Sequence, residues 1–229
     1  MCGIVGYVGR DTGSTPLDVV MEGLARLEYR GYDSAGVALV TDAGIDQRKR
    51  AGKLANLRAE IANHPLAAAR TGIGHTRWAT HGGPTDENAH PHRGGRDGKL
   101  AVVHNGIIEN FRELRAELAA EGIVPESETD TETAVHLVSK YYAFGPTAGD
   151  FVASAYAALR RLEGAFTLVF THADHPDTIV AARRSARRSV RRARGCRLSW
   201  PVRHSPHTCP NGQLNRECQM RYSRISCRV

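Results

Sequence analysis

Apolar residues recur along this chain with two alternating periods. Leu17, Val20, Met21, Leu24 and Leu27 fall three and four residues apart, the spacing that gathers side chains on one face of a helix. Thr15-Pro16-Leu17-Asp18 supplies the helix start, with a capping hydroxyl, proline at the first helical position and an acid at the third. Gly31 supplies a stop. The small and β-branched residues of Cys2-Gly3-Ile4-Val5-Gly6-Tyr7 before it read as a strand. After it, Ala35-Gly36-Val37-Ala38-Leu39-Val40 is a strand that Thr41-Asp42-Ala43-Gly44 turns into a second, more polar one ending near Arg50.

The same alternation continues. A helix is predicted over Lys53 to Ala62, then a strand running into a loop over Gly72 to Trp78. Ala79 to Lys99 is rich in Gly, Pro, His and Asn, a long loop of the kind that usually serves function. Leu100 to His104 reads as a buried strand. Asn110-Phe111-Arg112-Glu113 and Thr129-Asp130-Thr131-Glu132 both resemble capped helix starts, opening helices that run to Gly122 and to about Tyr141. A further helix covers about Asp150 to Leu162, followed by strands at Phe166 to Phe170 and Thr178 to Ala182. Strands on both sides of helical pairs, with hairpins among them, predict stacked sheets covered by helices, a layered α+β or α/β protein.

The pattern breaks at Arg183. Residues 183 to 229 hold thirteen arginines, no lysine and one acid, Glu217, with six Val, Ile or Leu and no Phe. Such a composition seeds no core and predicts disorder. Residues 1–182 therefore form the predicted domain, mildly acidic with 18 basic and 23 acidic groups, and the formal charge of +7 comes from the tail. A reading-frame shift or mis-joined gene is the leading explanation for this abrupt change. The alternatives are an inactive truncated fragment and a nucleic-acid-binding tail, since arginine clusters neutralise phosphates; with aromatics sparse there, no specific nucleic acid is expected. No apolar run approaches the ~20 residues that span a bilayer, and no signal peptide is evident, so no membrane partner and a cytoplasmic location are expected. Cys196, Cys209, Cys218 and Cys227 crowd into the tail, unlike a secreted disulfide framework.

Candidate chemistry lies elsewhere. Once Met1 is removed, Cys2 would carry a thiol and an α-amine on one carbon, nucleophile and base in a single residue. Arg77 is placed to pair with a carboxylate, Asp130 sits in a helical first turn, and Asn105-Gly106 offers an amide and a backbone N–H to a developing oxyanion. Each has a plainer reading: a small buried hydrophobe, a surface arginine, a helix cap, a tight turn. His75, His81, His90, His92 and His104 are numerous, but their spacing matches no common zinc pattern and no metal is expected.

Together, Met-Cys-Gly-Ile-Val-Gly, Leu27 to Gly36 (LEYRGYDSAG), His75 to Gly82 (HTRWATHG), His104 to Asn110 (HNGIIEN) and Ser127 to Glu132 (SETDTE) closely resemble the glutaminase domain of the glucosamine-6-phosphate synthase family. The resemblance covers residues 1 to about 182. It implies a four-layer αββα N-terminal-nucleophile sandwich, incomplete at its C-terminal end, with no cofactor. It also implies L-glutamine as substrate, Cys2 as nucleophile, and Asn105 with the Gly106 N–H as oxyanion hole. Arg77 would bind the substrate carboxylate and Asp130 its ammonium. Trp78, Thr80 and His81 would belong to a closing loop, and Arg30 would order the pocket. Fructose 6-phosphate would be aminated only through a synthase domain absent from this chain.

Overall fold

The computed structural model describes residues 2–9, 14–95, 97–184, 198–199 and 220–226. Strands β1 (Gly3–Val8), β2 (Ser34–Thr41), β3 (Gly44–Ala51) and β4 (Thr71–Arg77) form an antiparallel sheet in the order β1-β4-β2-β3. The second sheet contains β5 (His92–Gly94), β6 (Leu100–Ile108), β7 (Gly164–His172), β8 (Thr178–Arg184), β9 (Leu198–Ser199) and β10 (Met220–Ser226), in the order β5-β6-β7-β8-β10-β9. Helices α1 (Pro16–Ala25) and α2 (Leu54–Asn63) cover the first sheet. Helices α3 (Phe111–Ala120), α4 (Asp130–Ala143) and α5 (Phe151–Arg161) cover the second.

Strand alternation assigns each residue to a layer. On β6, Leu100 and Val102 join the core shared with α4 and α5, whereas Ala101 and Val103 face the other sheet. On β2, Ala35 and Val37 pack against α1 and α2, while Ala38 and Val40 face inward. Ile4 and Val8 of β1 join that inter-sheet layer, so Cys2 shares their parity. The result is the expected αββα sandwich, with one apolar core between the sheets and one beneath each helical layer.

Local signals held where nothing distant competed. Thr15 caps α1 in a reciprocal box with Asp18, its hydroxyl accepting from the Asp18 N–H at 3.1 Å. The helix ends earlier than Gly31 predicts, at Ala25, and a short 3₁₀ turn follows at Glu28–Arg30. The two other boxes need correction. Asn110 gives its side chain to the Arg161 carbonyl and the Glu163 N–H instead of to α3. Thr129 is the N-cap of α4, but its hydroxyl pairs with Ser127 and His92 and makes no capping bond. Glu132 accepts from the Glu126 and Ser127 N–H groups, folding the preceding loop onto the helix.

The second sheet reaches further than predicted in two places. β6 continues through Asn105-Gly106 to Ile108, because β7 pairs with it down to Gly164. Past Arg183, where no structure was expected, β10 pairs antiparallel along the whole of β8, from Thr178 to Arg184. Backbone pairing satisfies the exposed N–H and C=O groups of a sheet edge whatever the side chains, which composition alone does not register. The arginine pairs at 187–188 and 191–192 and the four tail cysteines lie outside the described residues. Among the described residues no helix is long and apolar enough to cross a membrane.

Candidate active site

The parity of β1, β4 and β6 brings Cys2, His75, Arg77 and Asn105 to one end of the inter-sheet layer. The Cys2 sulfur accepts a hydrogen bond from the Trp78 N–H at 3.1 Å. Asn105 approaches from the opposite sheet and donates through Nδ2 to the Cys2 carbonyl at 3.4 Å. A cavity of about 200 Å³ opens here, lined by Cys2, Arg77, Trp78, Thr80, Gly106 and Asp130, together with His90, His104, Ile107, Thr129 and Thr131. That is smaller than the ~300–1,000 Å³ of pockets for drug-sized ligands. It suits one small polar molecule.

Its two charged walls are buried. Arg77 is 4 % exposed and Asp130 is 3 % exposed. Burial pulls the Arg77 guanidinium below its usual pKa, opposed first by Asp33 and then by the Cys2 sulfur and Asp130. Its nitrogens donate to the carbonyls of His81, Gly82 and Gly83, so the arginine also folds the loop that follows it. Asp130 accepts from the Ile108 N–H at 2.8 Å, tying α4 to the end of β6.

Not every predicted residue lines the cavity. His81 packs edge-on to Phe111, with ring centroids 5.2 Å apart. Arg30 lies against the Tyr29 ring and donates to its hydroxyl at 3.1 Å, outside the cavity lining. Thr80 lines the cavity from an exposed loop, and Trp78 is 55 % exposed at its mouth. Gly106 holds φ +123°, where a side chain would also come within 2.7 Å of the Phe166 Cα. That combination admits only glycine.

The site also contains residues whose part in it no sequence signal indicated. Asp33 accepts from the Ala79 N–H at 2.5 Å and, through its own N–H, donates to the Arg77 carbonyl at 2.7 Å, clamping both ends of the Trp78 segment. Behind Asn105, His75 donates from Nε2 to the amide oxygen at 2.7 Å, which turns Nδ2 toward Cys2. His75 in turn accepts at Nδ1 from His90 Nδ1 at 3.1 Å. Strand alternation could have placed His75, two residues before Arg77, in the site; Asp33, within the LEYRGYDSAG motif, and the loop residue His90 had no periodic position to place them there. The His90 loop reaches the sheet because β2 has Gly36 there, where a Cβ would strike the His90 carbonyl. Lys49 holds the loop through the Glu87 and Ala89 carbonyls, and Asp86 accepts from the Ala51 N–H.

Burial keeps these imidazoles neutral. Desolvation lowers His75 to about 3 and takes His90, His92 and His104 down as well. An unfolded histidine titrates near 6.5, so the unfolded chain binds more protons throughout the interval between the two values. Stability from His75 is complete above about pH 6.5 and is lost as pH falls toward 3, at most ~1.4 kcal/mol per pH unit for each such group. Urea midpoints are expected to fall steeply from pH 7 to pH 4, more than carboxylates alone explain. Constant midpoints down to pH 4 would contradict the neutral buried cluster. Among the described residues no three His, Cys, Asp or Glu side chains converge as a metal site requires.

Residues 75–190 match the model of the glutamine amidotransferase domain. The glutamine–fructose-6-phosphate aminotransferase of Mycolicibacterium paratuberculosis is 62% identical over 188 residues, covering 81% of this chain and 30% of that protein. The enzyme of the same name from Streptomyces coelicolor is 61% identical, with 81% and 29% covered. The chain thus spans about three-tenths of the length of these relatives. Among solved structures, a glutamine phosphoribosylpyrophosphate amidotransferase from Bacillus subtilis superposes with a TM-score of 0.60 at 24% identity, over 80% of this chain and 36% of that one. That likeness establishes the fold.

Proposed function

We propose that this chain, which belongs to the glutamine amidotransferase domain family, hydrolyses the side-chain amide of L-glutamine through a thioester on Cys2. The observation that carries this reading is the convergence of Cys2, buried Arg77 and buried Asp130 on a single small cavity. A guanidinium and a carboxylate on its walls match the two charged ends of an α-amino acid, leaving the side-chain amide for the sulfur.

The Cys2 thiolate adds to the amide carbon, and the α-amine freed by loss of Met1 passes the proton to the departing ammonia. Asn105 Nδ2 and the Gly106 N–H carry the charge that develops on the carbonyl oxygen. Water then cleaves the thioester, releasing glutamate and restoring the thiol. Trp78 and Thr80 cover the bound substrate, and His81 holds their loop against Phe111. The ammonia serves amination of fructose 6-phosphate, the acceptor in the names of the relatives. That second step belongs to the part of their length this chain does not span.

A γ-diazoketone analogue of glutamine tests the assignment. Intact-mass analysis should show one adduct per chain, mapped to Cys2, formed after loss of Met1 and slowed by L-glutamine but not by L-asparagine. Labelling at another residue, or labelling indifferent to glutamine, would refute it.

A further inference from the structure

The cavity has a feature that the steps above leave unused: two buried acceptors side by side. His90 and His104 both line it, are 4 % and 3 % exposed, and lie with ring centroids 6.4 Å apart and planes inclined by 27°. The Nε2 atom of each is buried and has no hydrogen-bond partner among the described residues.

Their tautomers follow from their neighbours. The Cys2 carbonyl accepts only, so Asn105 turns Nδ2 to it and Oδ1 to His75. His75 therefore carries its hydrogen on Nε2, its Nδ1 is a lone pair, and His90 must donate from Nδ1. That leaves His90 Nε2 bare. On the other ring, Thr131 gives its hydroxyl hydrogen to Asp130 and accepts from His104 Nδ1 at 2.8 Å, with Asp130 Oδ1 3.7 Å from the same nitrogen. His104 Nε2 is bare as well. Two neutral acceptors buried without donors are costly, and what offsets the cost is a molecule with two hydrogens to give.

We propose that His90 Nε2 and His104 Nε2 together bind the water that hydrolyses the Cys2 thioester. A water donating one hydrogen to each ring turns its own lone pairs away from them, toward the cavity and the acylated sulfur. As its oxygen bonds to the thioester carbon, one hydrogen leaves its imidazole for the α-amine, which passes a proton to the Cys2 sulfur as the carbon–sulfur bond breaks. The products are glutamate and the thiol. Neither imidazole takes the proton, so both are positioning residues. This inference rests on the glutaminase reading and concerns its second half-reaction alone.

His104→Asn retains a donor near Nδ1 for Thr131 and removes the ε-acceptor; His104→Gln retains an acceptor near ε. With purified full-length chain and L-glutamine, H104N should lower kcat about tenfold while kcat/KM, which reports acylation, stays within about twofold. The glutamyl thioester should accumulate in intact-mass spectra during turnover, and H104Q should recover part of the rate. His90→Asn, which likewise keeps the δ donor, should repeat the split, so a misfolded H104N leaves the test intact. A parallel fall in kcat and kcat/KM without thioester accumulation would overturn the proposal, as would a crystal structure of the wild-type chain with no water bridging the two Nε2 atoms. Absence of any Cys2-dependent glutamate from the wild type would instead defeat the glutaminase reading itself.

Discussion

Cys2→Ala is expected to reduce glutamine hydrolysis by more than about 10³-fold while leaving the fold unchanged. Among the residues lining the cavity, Cys2 alone carries a thiol. Arg77 and Asp130 are charge-bearing walls, and the imidazoles of His90 and His104 are held in fixed tautomers with their δ nitrogens committed. Asn105 and Gly106 would still polarise the carbonyl, so a small residue of activity over water is expected to survive. Structurally, Cys2 precedes β1 and is only half-buried, its sulfur tied to the Trp78 backbone. Removing that contact costs little: the thermal midpoint should shift by no more than a degree or two, about the effect of a few tenths of a kcal/mol. Glutamate release by the alanine variant within tenfold of wild type would mean that Cys2 is not the nucleophile. Cys2→Ser provides a second comparison. It preserves size and the Trp78 contact but offers a weaker nucleophile, so binding should persist with turnover close to that of the alanine variant.

What the sequence made legible was largely local or periodic. α1 could be placed because Thr15, Pro16 and Asp18 act within one turn of each other, and α5 because Asp150 accepts from the Ala153 N–H. Thr129 and Asn110 bear the same signatures, yet distant partners hold their side chains. A hydroxyl next to the buried His92, or an amide beside the Arg161 carbonyl, finds a bond there that a helix terminus could otherwise take from water. β6 was cut short at Asn105 for a related reason. Asn-Gly is turn chemistry in isolation, and only the β7 partner, reaching Gly164, makes it a strand.

The site divides along the same line. Cys2, Arg77, Gly106 and Asp130 each have a plainer reading alone and could be named because the motifs that hold them point together to one chemistry. The arrangement that orients them could not. His75 and His104 occupy alternating strand positions whose apolar neighbours mark them as buried, but nothing in the chain tells which buried nitrogen meets which. That depends on the two sheets lying face to face and on the His90 loop crossing Gly36. Tertiary hydrogen bonding between elements far apart in sequence is the part of a site that periodicity does not encode.

Asn105 is where that tertiary arrangement should have its largest effect on rate. Its Nδ2 bonds to the Cys2 carbonyl, beside the cavity, because Oδ1 is held by His75. Removing one such donor from an oxyanion site costs about 10²–10³ in kcat, or ~2.7–4 kcal/mol. Asn105→Ala and Asn105→Asp should both lose that much at saturating glutamine, with KM changed far less, because the bond is needed when negative charge develops on the carbonyl oxygen. Their stabilities should differ. Alanine leaves the His75 Nε2–H buried without an acceptor, at ~1–3 kcal/mol, whereas aspartate keeps an oxygen for it and replaces only the donor that bonds to the Cys2 carbonyl. Equal losses of rate beside unequal losses of stability would separate what Asn105 does for the reaction from what it does for the core. A kcat within about fivefold of wild type in both variants would move the oxyanion elsewhere, leaving Gly106 to carry the charge with a donor other than Asn105.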